Sequence, residues 1–262
     1  MEDSGWYNSA EEFGTLDALV RQGRHLEAID RARLTLLSGQ AGRRSAARLH
    51  TLICRLYTEE LQQPCPAAIL HAEEAVRLAE AVRDPWIKCE ALSRIVHACC
   101  QVGDRCRAAS ACDALAAEVE RNAAVVPGGH AAVLMLRATV AMAGEEWPLA
   151  MALLRQAEAA GSGEAPEVAA RVYADKVVVL LASGAYGDAR ALLAEPVADP
   201  EGESAVAVAR ELARAWLAVV SLAEGPDPAE ASRLAHLTHQ RTVCLGRVDM
   251  ARWLRRRLLQ LL

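Results

Sequence analysis

The sequence predicts an all-α protein built from repeated helix hairpins. Three observations predict it. Ala and Leu dominate, with 54 and 34 residues, while aromatics make up 4% and Phe occurs once. That composition favours helices and is too poor in strand formers for a β-sandwich or barrel. A short turn pattern recurs six times, and between the turns the apolar residues follow helical spacing.

The recurring pattern is a turn, a bulky residue and, three residues later, an alanine that opens an apolar helix. It occurs in QGRHLEAI (Gln22–Ile29), QPCPAAI (Gln63–Ile69), VGDRCRAA (Val102–Ala109), GEEWPLAM (Gly144–Met151), GAYGDAR (Gly184–Arg190) and GPDPAEAS (Gly225–Ser232). The alanines are Ala28, Ala68, Ala108, Ala150, Ala189 and Ala231, spaced by 40, 40, 42, 39 and 42 residues. A small side chain there lets two helix backbones cross closely, and a larger one would overpack the crossing. Gly23, Gly103, Gly144, Gly184 and Gly225 precede five of them and supply the left-handed residue that ends the first helix. Gln63 stands in that place in the second repeat. Pro66, Pro148 and Pro228 fall where a second helix begins, a position that needs no helical N–H.

The elements follow in order as helix pairs at about 12–21/26–38, 44–62/66–82, 86–101/105–121, 130–143/148–160, 166–182/187–195 and 204–223/228–243, with a last helix over 246–262. In the second repeat Ile69, Ala72, Val76 and Ala79 mark the buried face. Asp84-Pro85 reads as an N-cap followed by a first-turn proline. In the third repeat Leu92, Ile95, Val96 and Cys99 form one apolar stripe, and Ala108, Cys112, Leu115 and Val119 form that of its partner. Gly161-Ser162-Gly163 reads as a linker.

Turn glycine, bulky residue, alanine and apolar helix together resemble the tetratricopeptide repeat (TPR). The 39–42-residue period is longer than the usual one of about 34. It is similar to the repeats in the sensor region of the maltose-regulon activator and related large LuxR-type regulators, without the NTPase module and helix-turn-helix that those activators also carry. His71–Ala109 is the closest stretch, and Leu237–Leu254 echoes its junction. The resemblance implies a single domain over 1–262, with repeats at 12–38, 44–82, 86–121, 130–160, 166–195 and 204–243. The implied architecture is a right-handed superhelical solenoid of about six TPR-like helix hairpins plus a C-terminal capping helix, 246–262. That helix carries Val248, Ala251, Leu254, Leu258 and Leu262 on one face. It covers the end of the stack, forms a homodimer or partner contact, or attaches to a membrane surface; capping is the leading reading.

Composition and motifs argue for recognition rather than chemistry. The net charge of −5 argues against a general nucleic-acid binder. No stretch reaches the roughly 20 apolar residues of a membrane span. The N-terminus lacks the layout of a signal peptide, so a cytoplasmic location is expected. The eight cysteines then read as reduced, mostly buried thiols. No phosphate-binding loop, nucleophile elbow or C-x-x-C is present. We therefore expect no enzyme activity, no cofactor and no metal. The cysteines and histidine of the third repeat pack as thiols and a polar side chain in that reading, and His236 and His239 lack enough further ligands.

The resemblance places the first helix of each pair along a concave groove. Glu90, Arg94, His97 and Gln101, opposite the apolar stripe of their helix, then face a protein or peptide partner. Arg94 suits a carboxylate, and His97 and Gln101 suit peptide backbone. A plain solvated face is the alternative for this row. Tyr57 and Arg137 are further groove candidates. The expected function is a protein- or peptide-binding scaffold, an adaptor or regulatory protein. The alternative is a sensor that binds a small molecule or signalling peptide to control transcription.

Overall fold

The structure is a computed structural model, and it describes residues 6–61, 65–123, 126, 129–161, 166–194, 213–221 and 233–238, with side chains from residue 13 onward in the first stretch and from 168 onward in 166–194. Among the described residues every regular element is helical. The chain divides into two compact units, Met1–Gly129 and His130–Leu262.

The first unit holds α1 (Trp6–Arg21), α2 (His25–Leu37), α3 (Arg43–Arg55), α4 (Pro66–Ala81), α5 (Pro85–Val102) and α6 (Arg105–Arg121). Helix α3 runs on into a π-helical turn, Leu56–Glu60. Each helix packs on the next, and α3 also touches α5, so hairpin stacks on hairpin. Leu16, Ala28, Ile29, Ala32, Leu49, Ile53 and Leu56 form one core layer between α1, α2 and α3. Ala47, Leu78, Ala79 and Ile87 join α3 to α4 and α5.

The second unit holds α7 (Gly129–Ala143, whose first residue belongs to the first unit), α8 (Trp147–Ala160), α9 (Pro166–Ser183) and α10 (Tyr186–Ala194), followed by α11 over 213–221 and α12 over 233–238. Leu134, Ala138, Met142, Ala150, Leu154, Val172 and Val179 knit α7, α8 and α9. Tyr173, Val177, Leu181, Ala189, Leu193 and Trp216 join α9 and α10 to α11. Trp216 is among the largest fully buried side chains. Burying one such group contributes roughly 1.5–3 kcal/mol before the entropy of ordering it.

The all-α repeat expectation is met, and its steric logic is visible. Ala28, Ala68, Ala108, Ala150 and Ala189 are all 0% exposed, so each crossing closes on a methyl group. Ala231 lies outside the described residues, as do Gly225, Pro228, His239 and the helix expected over 246–262.

Five of the turns share one hydrogen-bond scheme. After α1, Gly23 N–H donates to Val20 O at 2.9 Å and Arg24 N–H to Leu19 O at 2.9 Å. The same pair of bonds recurs at Arg83 and Asp84, Gly103 and Asp104, Glu145 and Glu146, and Gly184 and Ala185. This is the Schellman ending, whose middle residue must be left-handed. Gly23, Gly103 and Gly184 take φ 72°, 83° and 80°. Gly144 does not fill that role: the left-handed residue of its turn is Glu145, φ 58°. The geometry wants the residue five before the crossing alanine, and Gly144 stands six before Ala150.

Two local expectations change or sharpen. The buried face of α4 runs through Ala68, Ile69, Ala72, Ala75, Leu78 and Ala79, so Ile69, Ala72 and Ala79 fall where expected, while Val76 is only half-buried. Asp84 caps α5 as expected: its Oδ1 accepts from Ile87 N–H at 3.1 Å, and Pro85 takes the first helical position.

Candidate functional site

The apolar residues of α5 set the direction of its polar ones. Leu92, Ile95, Val96 and Cys99 are buried, which turns Glu90, Arg94, His97 and Gln101 toward the far side of the helix. That side meets the π-helical turn at the end of α3. A π turn inserts one residue into the helical ladder and shifts every side chain after it.

The shift gathers polar groups from three elements. The Arg94 Nη1 donates to Glu59 Oε1, and its Nη2 lies 3.9 Å from Glu90 Oε1. Gln101 Nε2 donates to the backbone carbonyl of Thr58 at 2.6 Å. Thr58 Oγ1 is itself tied back to Cys54 O at 2.9 Å. Tyr57 Oη accepts from Arg33 Nη2 at 2.9 Å, and the guanidinium carbon lies 5.7 Å from the ring centre. His25 Nε2 lies 3.9 Å from Glu60 Oε2.

This network leaves hydrogen-bonding capacity unmet. His25 Nδ1, Arg55 Nε, Arg94 Nε and Gln101 Oε1 are buried without a hydrogen-bond partner among the described residues. All four belong to side chains that flank or contact the same turn. Buried polar atoms of this kind are nearly always bonded, to protein, water or a bound group.

The structure thus brings Glu90, Arg94, Gln101 and Tyr57 to one region of the first unit. His97 lies half-buried on the same helix and carries interactions of its own. Arg137 is exposed on α7, in the other unit, and also has a partner. Sequence reasoning missed Thr58, Glu59 and Arg33. A π turn has no compositional signature, and the Arg94–Glu59 pair spans 35 residues.

Four of the cysteines are poor nucleophiles. Burial pushes the Cys54 and Cys100 thiols up to about 12, and those of Cys89 and Cys99 up to about 11. Among the described residues no three His, Cys, Asp or Glu side chains converge as metal ligands, and no helix is long and apolar enough to cross a membrane.

The comparisons with known proteins bear on architecture alone. No known family matches the sequence, and no curated protein is similar to it. Among solved structures, a Rap protein complexed with competence and sporulation factor superposes with a TM-score of 0.64 at 14% identity, over 98% of this chain and 76% of that one. That likeness shows the fold. The fold is a TPR-like helical repeat. A yeast Sti1 TPR2AB domain in an HSP90 complex also aligns, over 97% of both chains at 16% identity, with a TM-score of 0.37, too low to carry an argument.

Proposed function

We propose that this chain is a non-catalytic helical-repeat protein that binds a protein or peptide partner. The contact is the face of the first unit where α5 meets the π turn. The observation that carries this reading is the group of four buried, unpartnered polar atoms around that turn. The likeness to a Rap protein crystallised with a competence and sporulation factor supports it.

In this reading Glu59 holds Arg94 in place until a partner carboxylate or carbonyl replaces or joins it. Gln101, anchored by its Nε2, offers its Oε1 to a peptide N–H. The protein acts as an adaptor or as a regulatory sensor, in keeping with the resemblance of its long repeats to the sensor region of LuxR-type activators. We place it in the cytoplasm, with no direct contact to nucleic acid, in line with its acidic charge. The crossing alanines keep one register across the boundary of the two units, which supports a single repeat array over 1–262. Arg137 stays a secondary contact in this proposal, and the 246–262 segment a cap or a homodimer contact.

Native mass spectrometry of the protein purified from its own host tests this function. We expect an added mass of protein or peptide size in stoichiometric amount. A small-molecule mass alone would favour the sensor alternative, and a bare chain would count against both.

A further inference from the structure

Helix α3 departs from its neighbours in charge. Its 13 residues include Arg43, Arg44, Arg48 and Arg55 and no acidic residue. Elsewhere in the first unit, arginines are matched by a nearby glutamate: Arg24 by Glu27, Arg77 by Glu74, Arg107 by Glu73 and Arg121 by Glu118. On α3, Arg44 alone is matched, by Asp84 Oδ2 at 2.5 Å. Among the described residues nothing pairs with Arg43, Arg48 or Arg55. Glu59 and Glu60 of the following π turn meet Arg94 and His25 instead.

Three of the four arginines share a face. Arg44, Arg48 and Arg55 fall within about 40° of one another around the helix, in a row about 16 Å long. Ala47, Leu49, Leu52, Ile53 and Cys54 are buried on other sides of α3. The row runs toward the π turn and ends at Arg55, whose Nε is buried without a hydrogen-bond partner among the described residues. At the other end, Arg43 and Arg44 occupy the first turn of α3, where the helix dipole disfavours positive charge, and Gly42 supplies no side-chain cap. Departures from local preference of this kind concentrate at functional surfaces. This one stands out further in a chain whose net charge is −5.

We propose that the Arg44, Arg48 and Arg55 row docks an acidic, extended segment of a partner protein. Alternate side chains of an extended strand lie about 7 Å apart on one face, close to the rise of about 6 Å from Arg44 to Arg48. The whole row matches about five extended residues. Each guanidinium can give a carboxylate two parallel N–H donors. The acidic remainder of the chain favours a short segment over a long polyanion such as nucleic acid. The proposal rests on the partner-binding reading and names the chemistry of that partner.

Fluorescence anisotropy of the full chain with labelled hexaglutamate tests it, beside labelled hexaglutamine and a labelled oligothymidine of the same length. The variants are Arg48→Gln, Arg48→Gln/Arg55→Gln and Arg155→Gln/Arg190→Gln; the last removes two charges from exposed positions of the other unit. We expect hexaglutamate to bind the wild type and hexaglutamine not to bind. Arg48→Gln should weaken binding, and the α3 double variant should weaken it about fivefold or more, while the control pair stays within about twofold of the wild type. Absence of hexaglutamate binding, an equal loss in the control pair, or unchanged binding by Arg48→Gln, an exposed position where the fold is kept, would overturn the proposal. So would tighter binding of oligothymidine than of hexaglutamate, which would make the row a nucleic-acid contact. Because the probe is a defined peptide, a loss confined to the α3 variants supports the row even where native mass spectra show no natural partner, so the two readings fail separately.

Discussion

The imidazoles of His50 and His71 face each other across the α3–α4 hairpin with their Nδ1 atoms 2.8 Å apart and ring centres 5.0 Å apart. One nitrogen must carry the proton and the other the lone pair. Burial holds His71 down to about 4, and the His50 ring and the Arg33 charge push the same way. Burial also lowers His50; Glu74 opposes that, and Arg77 adds to it. Both folded pKa values lie below the unfolded one, so the stability that the neutral pair contributes is fully present above about pH 6.5. It is lost as pH falls toward 4. For half-buried rings, with solvent screening part of the effect, we expect a loss of about 1 kcal/mol between pH 7 and 5. Urea unfolding at the two pH values should show it in the wild type and show less of it in His71→Asn.

Glu145 occupies a left-handed turn position that glycine fills in three other hairpins. Glu145→Gly should therefore stabilise the protein, by about 0.5–1 kcal/mol, as backbone strain is relieved. Moving the wrong way, Gly103→Ala should destabilise it, although open space surrounds the position, because φ 83° is the constraint there. Denaturant midpoints at constant slope check both.

The register of repeats rests on the crossing alanines. Leucine at Ala28, Ala108 or Ala189, each 0% exposed, should destabilise by about 1–3 kcal/mol through overpacking. Wild-type stability in all three variants would refute the crossing geometry.

Thiol reactivity should follow exposure and pKa. At pH 8, iodoacetamide should modify exposed Cys106 well before Cys54, Cys89, Cys99 and Cys100, whose thiols burial keeps protonated. Peptide mapping over a time course reads the order.

The repeat fold was legible because its signals are local. A methyl group at each crossing and a left-handed residue at each turn are steric demands written within six residues of each other. The limits of that legibility are equally physical. Gly144 looked like the turn residue, yet the left-handed position is counted back from the crossing and fell on Glu145. Val76 looked buried because it is apolar, but the α4 face runs through Ile69, Ala72, Ala75, Leu78 and Ala79 and leaves it half-buried. The polar row of α5 was visible as the side opposite Leu92, Ile95, Val96 and Cys99. What engages it was not, since Glu59 and Thr58 reach Arg94 and Gln101 only through a π turn that no residue pattern announces.

The central claim is that a partner docks on α5 beside the π turn. Native mass spectra of the protein from its own host, recorded for the wild type and for the Arg94→Ala/Gln101→Ala double variant, test it most directly. The account predicts a protein- or peptide-sized added mass on the wild type that is lost, or falls at least about tenfold in occupancy, in a variant that stays folded, as expected when about 1.4 kcal/mol or more of binding is removed. An added mass equally present on both proteins would contradict it, as would its absence from both.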